Sequence, residues 1–576
     1  MNIEFAYADR TFKQSEGKST ERNGLFAKGA EKTDKIELFS VRRSSAAFQI
    51  AVRSDEDCIL NVGDEPYFSQ HGQKPTLRVS LDCDLPWTLH IIDFTVAEDG
   101  VRYADALLSS PVLEMQAGEI RTVYAEISVP ADAAPGSHGF TVHFYTHRML
   151  GPECRAGSFS ATLEVAEYVM HDVKENKFHL DLWQHPSNLA RKAETPLWSD
   201  AHFAVIDRYL KSLGELGQKA VTIIASDAPW SGQGCSLVAE SANMFEYGII
   251  QVKKKRDGSI ECDFRALQRY IDTAAKYGID REISVYGLCN VWNEPESGFI
   301  RSAGDYPDGV RIRYLDESDG CYKYMTDAAD VKAYVVSLEQ YFLATGQMDR
   351  VRLAADEPDD VERYRTILRL IHEIAPAFRF KACINHSEFI GEFGEEVCDF
   401  APYIGCMTAE YQVLKRYQAT MPGKRFLYYI CCGPSFPNSF VTSPLIELEY
   451  LPVLASAAGF DGMLRWSYNI WPDRPREDAR YRSWRVGDTH LVYPQADGSP
   501  LLTLRWKELK RGIELYEILE ELKAKDPQAA AEAYAMVMKK TGIEDVGRAA
   551  SRDETYVSDI EAYDRMERFA AQKLTD

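Results

Sequence analysis

Val351-Arg352-Leu353-Ala354-Ala355-Asp356-Glu357-Pro358 is the stretch on which the fold turns. An apolar run, Val351 to Ala355, ends in two adjacent carboxylates, and a helical pattern begins at Asp359. That is the passage from a strand to its helix, and a (β/α)₈ barrel carries its chemistry there. Like charges side by side shift each other's proton affinity, so the pair is a candidate for proton-transfer work. The rival reading makes both acids helix N-terminal carboxylates, with Pro358 in the first helical position and the helix dipole favouring negative charge. Successive strand residues face opposite sides. Both acids therefore enter one site only if the chain bends at Asp356.

Outward from this stretch, strand-like runs alternate with helical ones. Eight candidate strands are Phe178–Trp183, Ala220–Ala225, Ile283–Leu288, Val351–Ala355, Phe378–Ile384, Tyr403–Thr408, Arg425–Cys431 and Gly462–Tyr468. Helical faces fill the gaps: Val331, Tyr334, Val335, Leu338, Tyr341 and Phe342 before Gly346; then Val361, Tyr364, Ile367, Leu368 and Ile371; and last Trp506, Leu509, Ile513 and Tyr516. Eight such units predict a (β/α)₈ TIM barrel over 173–525 rather than an open sheet. Upstream, Val123, Ala125, Ile127 and Val129 alternate with Thr122, Tyr124, Glu126 and Ser128, the period of a half-buried strand. Pro130 to Gly136 makes a turn, and Phe140, Val142 and Phe144 resume the alternation. Residues 1–172 therefore read as an N-terminal antiparallel β-sandwich. The polar, helix-prone 526–576 reads as a helical extension packed on the barrel, giving a multidomain α/β chain.

The chain has 576 residues and a formal net charge of −22, which argues against nucleic acid and anionic membrane partners. The sequence as given shows no signal peptide and no run long enough to span a membrane. Twelve cysteines lie scattered without a CxxC, and the adjacent Cys431 and Cys432 are hard to bridge to each other. Free thiols in a reducing, cytoplasmic location fit this pattern. His143 and His147 sit in a strand pattern, where a four-residue spacing does not form the helical zinc pair. No metal site, phosphate loop or cofactor is expected.

Residues just after each strand would share one rim. They are Trp183 and His185 after strand 1, Asp227 and Trp230 after strand 2, and Asn290 and Trp292 after strand 3. Asp356 and Glu357 end strand 4, Tyr411 follows strand 6, and Arg465, Trp466, Tyr468 and Trp471 belong to strand 8. Indoles and phenols stack on the apolar CH faces of a sugar, while amides and carboxylates match its hydroxyls. A carbohydrate is the expected partner, as oligosaccharide or glycoconjugate. For any one aromatic, closing the barrel end is the plainer role.

Leu180-Asp181-Leu182-Trp183-Gln184-His185-Pro186, Ala355-Asp356-Glu357-Pro358 and Asp461-Gly462-Met463-Leu464-Arg465-Trp466 carry a resemblance. So do Gly487-Asp488-Thr489-His490-Leu491-Val492-Tyr493-Pro494 and Leu504-Arg505-Trp506. In these segments the chain resembles glycoside hydrolase family 123 and its large uncharacterised relatives, the domain of unknown function 4091. The resemblance implies a β-N-acetylgalactosaminidase-type, retaining, substrate-assisted reaction. Glu357 would be the general acid and then base, and Asp356 would hold the substrate acetamido N–H. Tyr411 or Tyr468 would support its carbonyl, with Trp466 and Trp471 as walls.

Rival readings remain. Asn293-Glu294-Pro295 looks like the acid/base signature of two-carboxylate barrel glycosidases, but it follows strand 3, and strand 7 supplies no second carboxylate. A sugar without an acetamido group, or a non-catalytic carbohydrate-binding role, would keep the fold and change the chemistry.

Overall fold

The computed structural model describes residues 1–16, 36–67, 74–230, 242–289, 295–296, 299–300, 310–540 and 542–576. Its amino-terminal part is two sheets. Ile3–Asp9, Ser44–Ser54, Ile120–Val129, Trp87–Val96 and Arg102–Leu107 form one, in that spatial order. Glu37–Arg42, Cys154–Val169, Gly136–His147, Thr76–Cys83, Cys58–Val62 and Val112–Met115 form the other. Most neighbours are antiparallel; two pairs in the second sheet are parallel. The alternating residues Val123, Ala125, Ile127 and Val129 share one apolar core with Leu77, Val79, Val142 and Phe144 of the second sheet. Thr122 and Tyr124, on the opposite face, are buried as well. A helix, Leu504–Lys525, lies over that face, and its Lys507 Nζ sits 2.5 Å from Glu126 Oε2.

The barrel strands, numbered 1 to 8 in chain order, are His179–Leu182, Ala220–Ile224, Glu282–Tyr286, Val351–Asp356, Phe380–Ile384, Val397–Pro402, Arg425–Ile430 and Gly462–Arg465. They form one parallel sheet in the order 1-8-7-6-5-4-3-2. The sheet is nearly closed. Between strands 1 and 2, a single parallel bridge joins Leu180 to Gln218. Side chains finish the seam: Leu182 N donates to Gln218 Oε1 at 2.9 Å, and Thr222 N to Gln184 Oε1 at 2.8 Å. Strands 8 and 1 come so close that a Cβ on Gly462 would lie 2.2 Å from His179 O.

Strand 6 lies earlier than expected. Ile404–Ala409, which covers most of the run Tyr403–Thr408 read as a strand, is a short helix, and the strand is Val397–Pro402. A short apolar run does not distinguish a strand from a buried helix, and the charge of Asp399 concealed the true strand. That carboxylate is buried, 2.6 Å from Arg352 Nε.

Period-2 alternation sorts the other strand residues. Ile223, Val285, Leu353, Ala355, Ala382, Phe400, Phe426, Tyr428 and Met463 face outward, into the core shared with the helices. That core takes Val331, Tyr334, Val335, Leu338 and Phe342 from Ala328–Ala344, and Tyr364, Ile367, Leu368 and Ile371 from Val361–His372. Ile224, Tyr286, Ala354, Cys383, Ala401, Leu427, Tyr429 and Leu464 face the lumen. Segments following strands 2 and 3 build a further four-stranded sheet of Ile260–Asp263, Gln251–Lys254, Arg313–Asp316 and Tyr322–Tyr324.

Helix Leu504–Lys525 buries Trp506, Leu509, Ile513 and Tyr516, and Pro527–Val537 and Ile560–Thr575 pack beyond it. Arg505 ties the amino-terminal sheets to the barrel. Its Nε and Nη2 each lie 2.9 Å from an oxygen of the buried Asp105, a bidentate pair. Its Nη1 donates to His490 O at 2.8 Å, which fixes the loop after strand 8. Among the described residues no helix is long and apolar enough to cross a membrane.

Candidate active site

Lumen-facing side chains stack in layers, as in a packed barrel. The lowest layer is charged. Lys381 pairs with Asp181 and lies 2.7 Å from Glu282 Oε1; Arg425 Nη1 is 2.7 Å and His179 Nε2 2.9 Å from Glu282 Oε2. Burial opposes the charge on Lys381, but the two carboxylates outweigh it and keep the ammonium protonated. Small and aliphatic residues fill the next layer, including Ala354, Ala401, Leu427 and Leu464. This layer seals the charges from the cleft above.

Asp356 ends strand 4 opposite Cys383 and has the same parity as the lumen-facing Ala354. On that alternation Glu357 would point outward. The backbone prevents it: Glu357 has φ = 48°, in the left-handed region, while its N–H continues the ladder to Cys383 O at 3.0 Å. The bend therefore falls at Glu357, one residue later than anticipated, and both acids line one cleft. A non-glycine residue there costs on the order of 1–3 kcal/mol, and such strain gathers at functional sites.

The helix after strand 4 starts at Val361, with Asp360 as its N-cap, accepting from Arg363 N at 2.8 Å. Asp356 and Glu357 thus precede the first turn, where the dipole acts. The reading of both as helix-terminal carboxylates is set aside, and Asp360 has that task.

The cleft holds about 720 Å³ of atom-free space, counting the part open to solvent. Tyr429, near the end of strand 7, donates its hydroxyl to Glu357 Oε1, and the hydroxyl oxygen of Tyr429 is also 2.8 Å from Asn385 Oδ1. Burial and the neighbouring Glu357 hold the Tyr429 proton far above the usual phenol range, so it remains a donor. Trp183 and Trp230 stack with centroids 5.5 Å apart, and Trp466 lies 5.9 Å from Trp484. All four indoles line the cleft, as do Met244, Cys431, Cys432, Ile470 and Asp488.

Asp488 is fully buried. Its Oδ1 accepts from Arg465 Nη2 at 3.0 Å and Trp466 Nε1 at 3.1 Å. Its Oδ2 has no hydrogen-bond partner among the described residues. Burial raises the carboxyl above its usual range against the pull of Arg465. A buried acceptor oxygen facing a cleft is a ready place for a ligand hydroxyl.

Of the residues expected at the rim, Asp356, Glu357, Trp183, Trp230 and Trp466 line this cleft. His185 and Arg465 stand behind it: His185 Nε2 is 3.0 Å from Trp466 O, and burial lowers the imidazole to about 4, so it is neutral at pH 7. Asp227 is taken up by the loop network, with Gly248 N at 2.7 Å and Tyr324 Oη at 3.0 Å. Tyr411, Tyr468 and Trp471 are placed elsewhere. Tyr411 donates to Ala458 O at 3.2 Å, Tyr468 bonds Ser212 Oγ at 2.8 Å, and Trp471 Nε1 donates to Val492 O at 2.7 Å. The strand ends at Arg465, and Tyr468 and Trp471 lie beyond it with their rings in the core shared with the helices. Asn290, Trp292, Asn293 and Glu294 lie outside the described residues. Tyr429, Trp484 and Asp488 are the additions. Tyr429 shares the parity of lumen-facing Leu427, and Asp488 stands in the quoted Gly487-to-Pro494 segment.

Adjacent carboxylates at the carboxyl end of strand 4, under a wall of indoles in a parallel barrel, define a carbohydrate-active barrel. The family model described as the glycoside hydrolase 123 catalytic domain matches residues 183–522, and the chain belongs to that family of glycoside hydrolases. No curated protein matches it. A family 123 glycoside hydrolase from Clostridium perfringens, studied for glycolipid glycan hydrolysis, is similar in structure, with a TM-score of 0.73 at 17% identity, over 100% of this chain and 97% of that one. That likeness shows the fold. A Bacteroides ovatus family 5 xyloglucanase has a TM-score of 0.28 at 8% identity, over 83% of this chain and 98% of its own. It is too distant to add to this.

Proposed function

We propose that the chain releases a terminal β-linked N-acetylhexosamine, N-acetylgalactosamine being favoured, with retention and by substrate-assisted catalysis. The sugar would stand on an oligosaccharide or glycoconjugate; the glycolipid glycan of the Clostridium perfringens relative points to the latter. In the same reading 1–172 is a β-sandwich, 173–525 a (β/α)₈ barrel and 526–576 its helical extension.

One observation carries the reading: the left-handed turn at Glu357 brings two adjacent carboxylates into one cleft and sets one of them against a tyrosine. Glu357 protonates the leaving oxygen. The acetamido carbonyl oxygen attacks the anomeric carbon, the aglycone bond breaks, and an oxazolinium forms. Asp356 accepts the acetamido N–H and offsets the positive charge. Glu357 then takes a proton from the water that opens the ring. One carboxylate thus serves as acid and base in turn, an exception to the scheme with two enzyme carboxylates flanking the bond.

Tyr429 suits both states of Glu357. When Glu357 carries its proton, that proton sits on Oε2, toward the leaving oxygen, and the phenol shares its own between Oε1 and Asn385 Oδ1. Once that proton has left, the phenol turns to the carboxylate. Trp183, Trp230 and Trp466 offer faces to the sugar CH groups, and Asp488 Oδ2 accepts a hydroxyl.

Glu357→Gln tests the acid role. Turnover should nearly vanish on a glycoside whose leaving group needs protonation and fall less on an activated aryl glycoside. Equal losses on both would sink the assignment.

A further inference from the structure

Cys431 and Cys432 do nothing in the reaction above, yet both line the cleft that holds Asp356 and Glu357. Cys431 has the parity of lumen-facing Leu427 and Tyr429 and follows the last residue of strand 7. A sharp turn then brings Cys432 to the same side. Cys431 N donates to Gly433 O at 3.0 Å, and buried Asn438 clamps the turn, its Nδ2 donating to Cys431 O at 3.1 Å and Pro434 O at 2.8 Å. The two sulfurs end 3.8 Å apart, Cys432 exposed and Cys431 partly buried.

We propose that Cys431 and Cys432 form a two-sulfur modification site in the cleft, which takes a trivalent thiophile of the arsenical class and closes the cleft to sugar. The second half of this rests on the cleft being the glycoside site.

The geometry selects the ligand. Adjacent Cα atoms are about 3.8 Å apart, short of the roughly 4.4–6.8 Å that disulfides span, so a direct S–S bond requires backbone distortion. A closed zinc site needs four ligands, and among the described residues no group of three His, Cys, Asp or Glu side chains could hold a metal ion. A single atom bridging two sulfurs needs neither. Each thiol attacks arsenic in R–As(OH)₂; each As–OH leaves as water with the proton of the attacking thiol. The product is R–As(S–Cys)₂ and two waters, with no change in oxidation state. Of the two, Cys431 is the one whose thiol is pushed up and Cys432 the one lowered, to about 7, by the hydrogen bond between them, so Cys432 supplies the thiolate for the first attack. Glu357 is close enough for its charge to act on Cys432, so the bridged arsenic and its substituent would stand beside the acid.

The full-length chain is treated with phenylarsine oxide, washed with glutathione, and read by intact mass, peptide mapping and hydrolysis. A single adduct on the peptide carrying Cys431 and Cys432 is expected. It should survive the monothiol, be released by 2,3-dimercaptopropanol, and abolish most hydrolysis. Cys431→Ser and Cys432→Ser should each lose the glutathione-resistant adduct, and each should show the same activity treated as untreated. An adduct that maps elsewhere, persists in either variant, or is stripped by glutathione overturns the site. A full adduct with unimpaired hydrolysis overturns the closure. If the untreated chain cleaves no glycoside, the proposed function fails, while mass and mapping still decide the site.

Discussion

Replacing Tyr429 by Phe removes one oxygen from the point where the acid is held. The ring is 4% exposed and packs 5.4 Å from the Tyr403 ring, so the substitution keeps the packing. What is lost is a hydrogen bond to Glu357 that is strongest when Glu357 is a carboxylate, after it has given up its proton. Hydrogen bonds to charged groups contribute about 1.5–3 kcal/mol. At about 1.4 kcal/mol per tenfold, kcat/KM should fall roughly 10–150-fold. The bond belongs to the state reached by proton transfer, so the loss should sit in kcat with KM nearly unchanged. Steady-state hydrolysis of an aryl β-N-acetylgalactosaminide measures this, with a thermal melt to confirm the fold. Placed on Glu357→Gln, the same change should cost far less, because the group it serves is gone. A variant within about twofold of the parent, or one whose loss is all in KM, would refute the coupling of Tyr429 to the acid.

Two further outcomes follow from buried charge. Lys381→Met leaves Asp181 without its cation and should cost about 3–5 kcal/mol of stability, read from urea midpoints; a cost under about 1 kcal/mol would mean the charged layer is not what holds the barrel floor. His185 is lowered to about 4 by burial, against about 6.5 unfolded, so between those values the unfolded chain binds more protons. Its contribution is complete above about pH 6.5 and drains away toward pH 4, at up to about 1.4 kcal/mol per pH unit. His185→Gln, whose amide can still reach Trp466 O, should flatten the fall in urea midpoint between about pH 6.5 and pH 4.5; an unchanged slope would contradict the assignment.

Much of this was written in local pattern. The run Val351 to Ala355 followed by two acids located strand 4, and alternation separated outward Leu353 and Ala355 from inward Ala354. Strand 6 was concealed because Asp399, an ion-paired lumen residue, breaks its apolar run, whereas Ile404 to Ala409 imitates a strand while folding as a helix. The left-handed turn at Glu357 had no glycine to announce it. Tyr429 sits beside Tyr428 in an apolar run; only parity divides them, Tyr428 donating outward to Leu451 O at 2.8 Å and Tyr429 inward to Glu357. Tyr468 and Trp471 read as rim aromatics but lie past the strand end, with their rings in the core shared with the helices. Asp488 reaches the cleft from a loop held by Arg505 and Arg465, a tertiary arrangement that no local spacing encodes.

The proposed division of labour between Asp356 and Glu357 depends on the substrate's own acetamido group. The direct measurement compares hydrolysis of an aryl β-N-acetylgalactosaminide with that of the matching aryl β-galactoside under identical conditions. Cleavage of the acetamido sugar, with the plain galactoside left essentially intact, is the predicted result. Comparable cleavage of the plain galactoside would contradict it, since Asp356 would then have no N–H to hold and no oxazolinium could form.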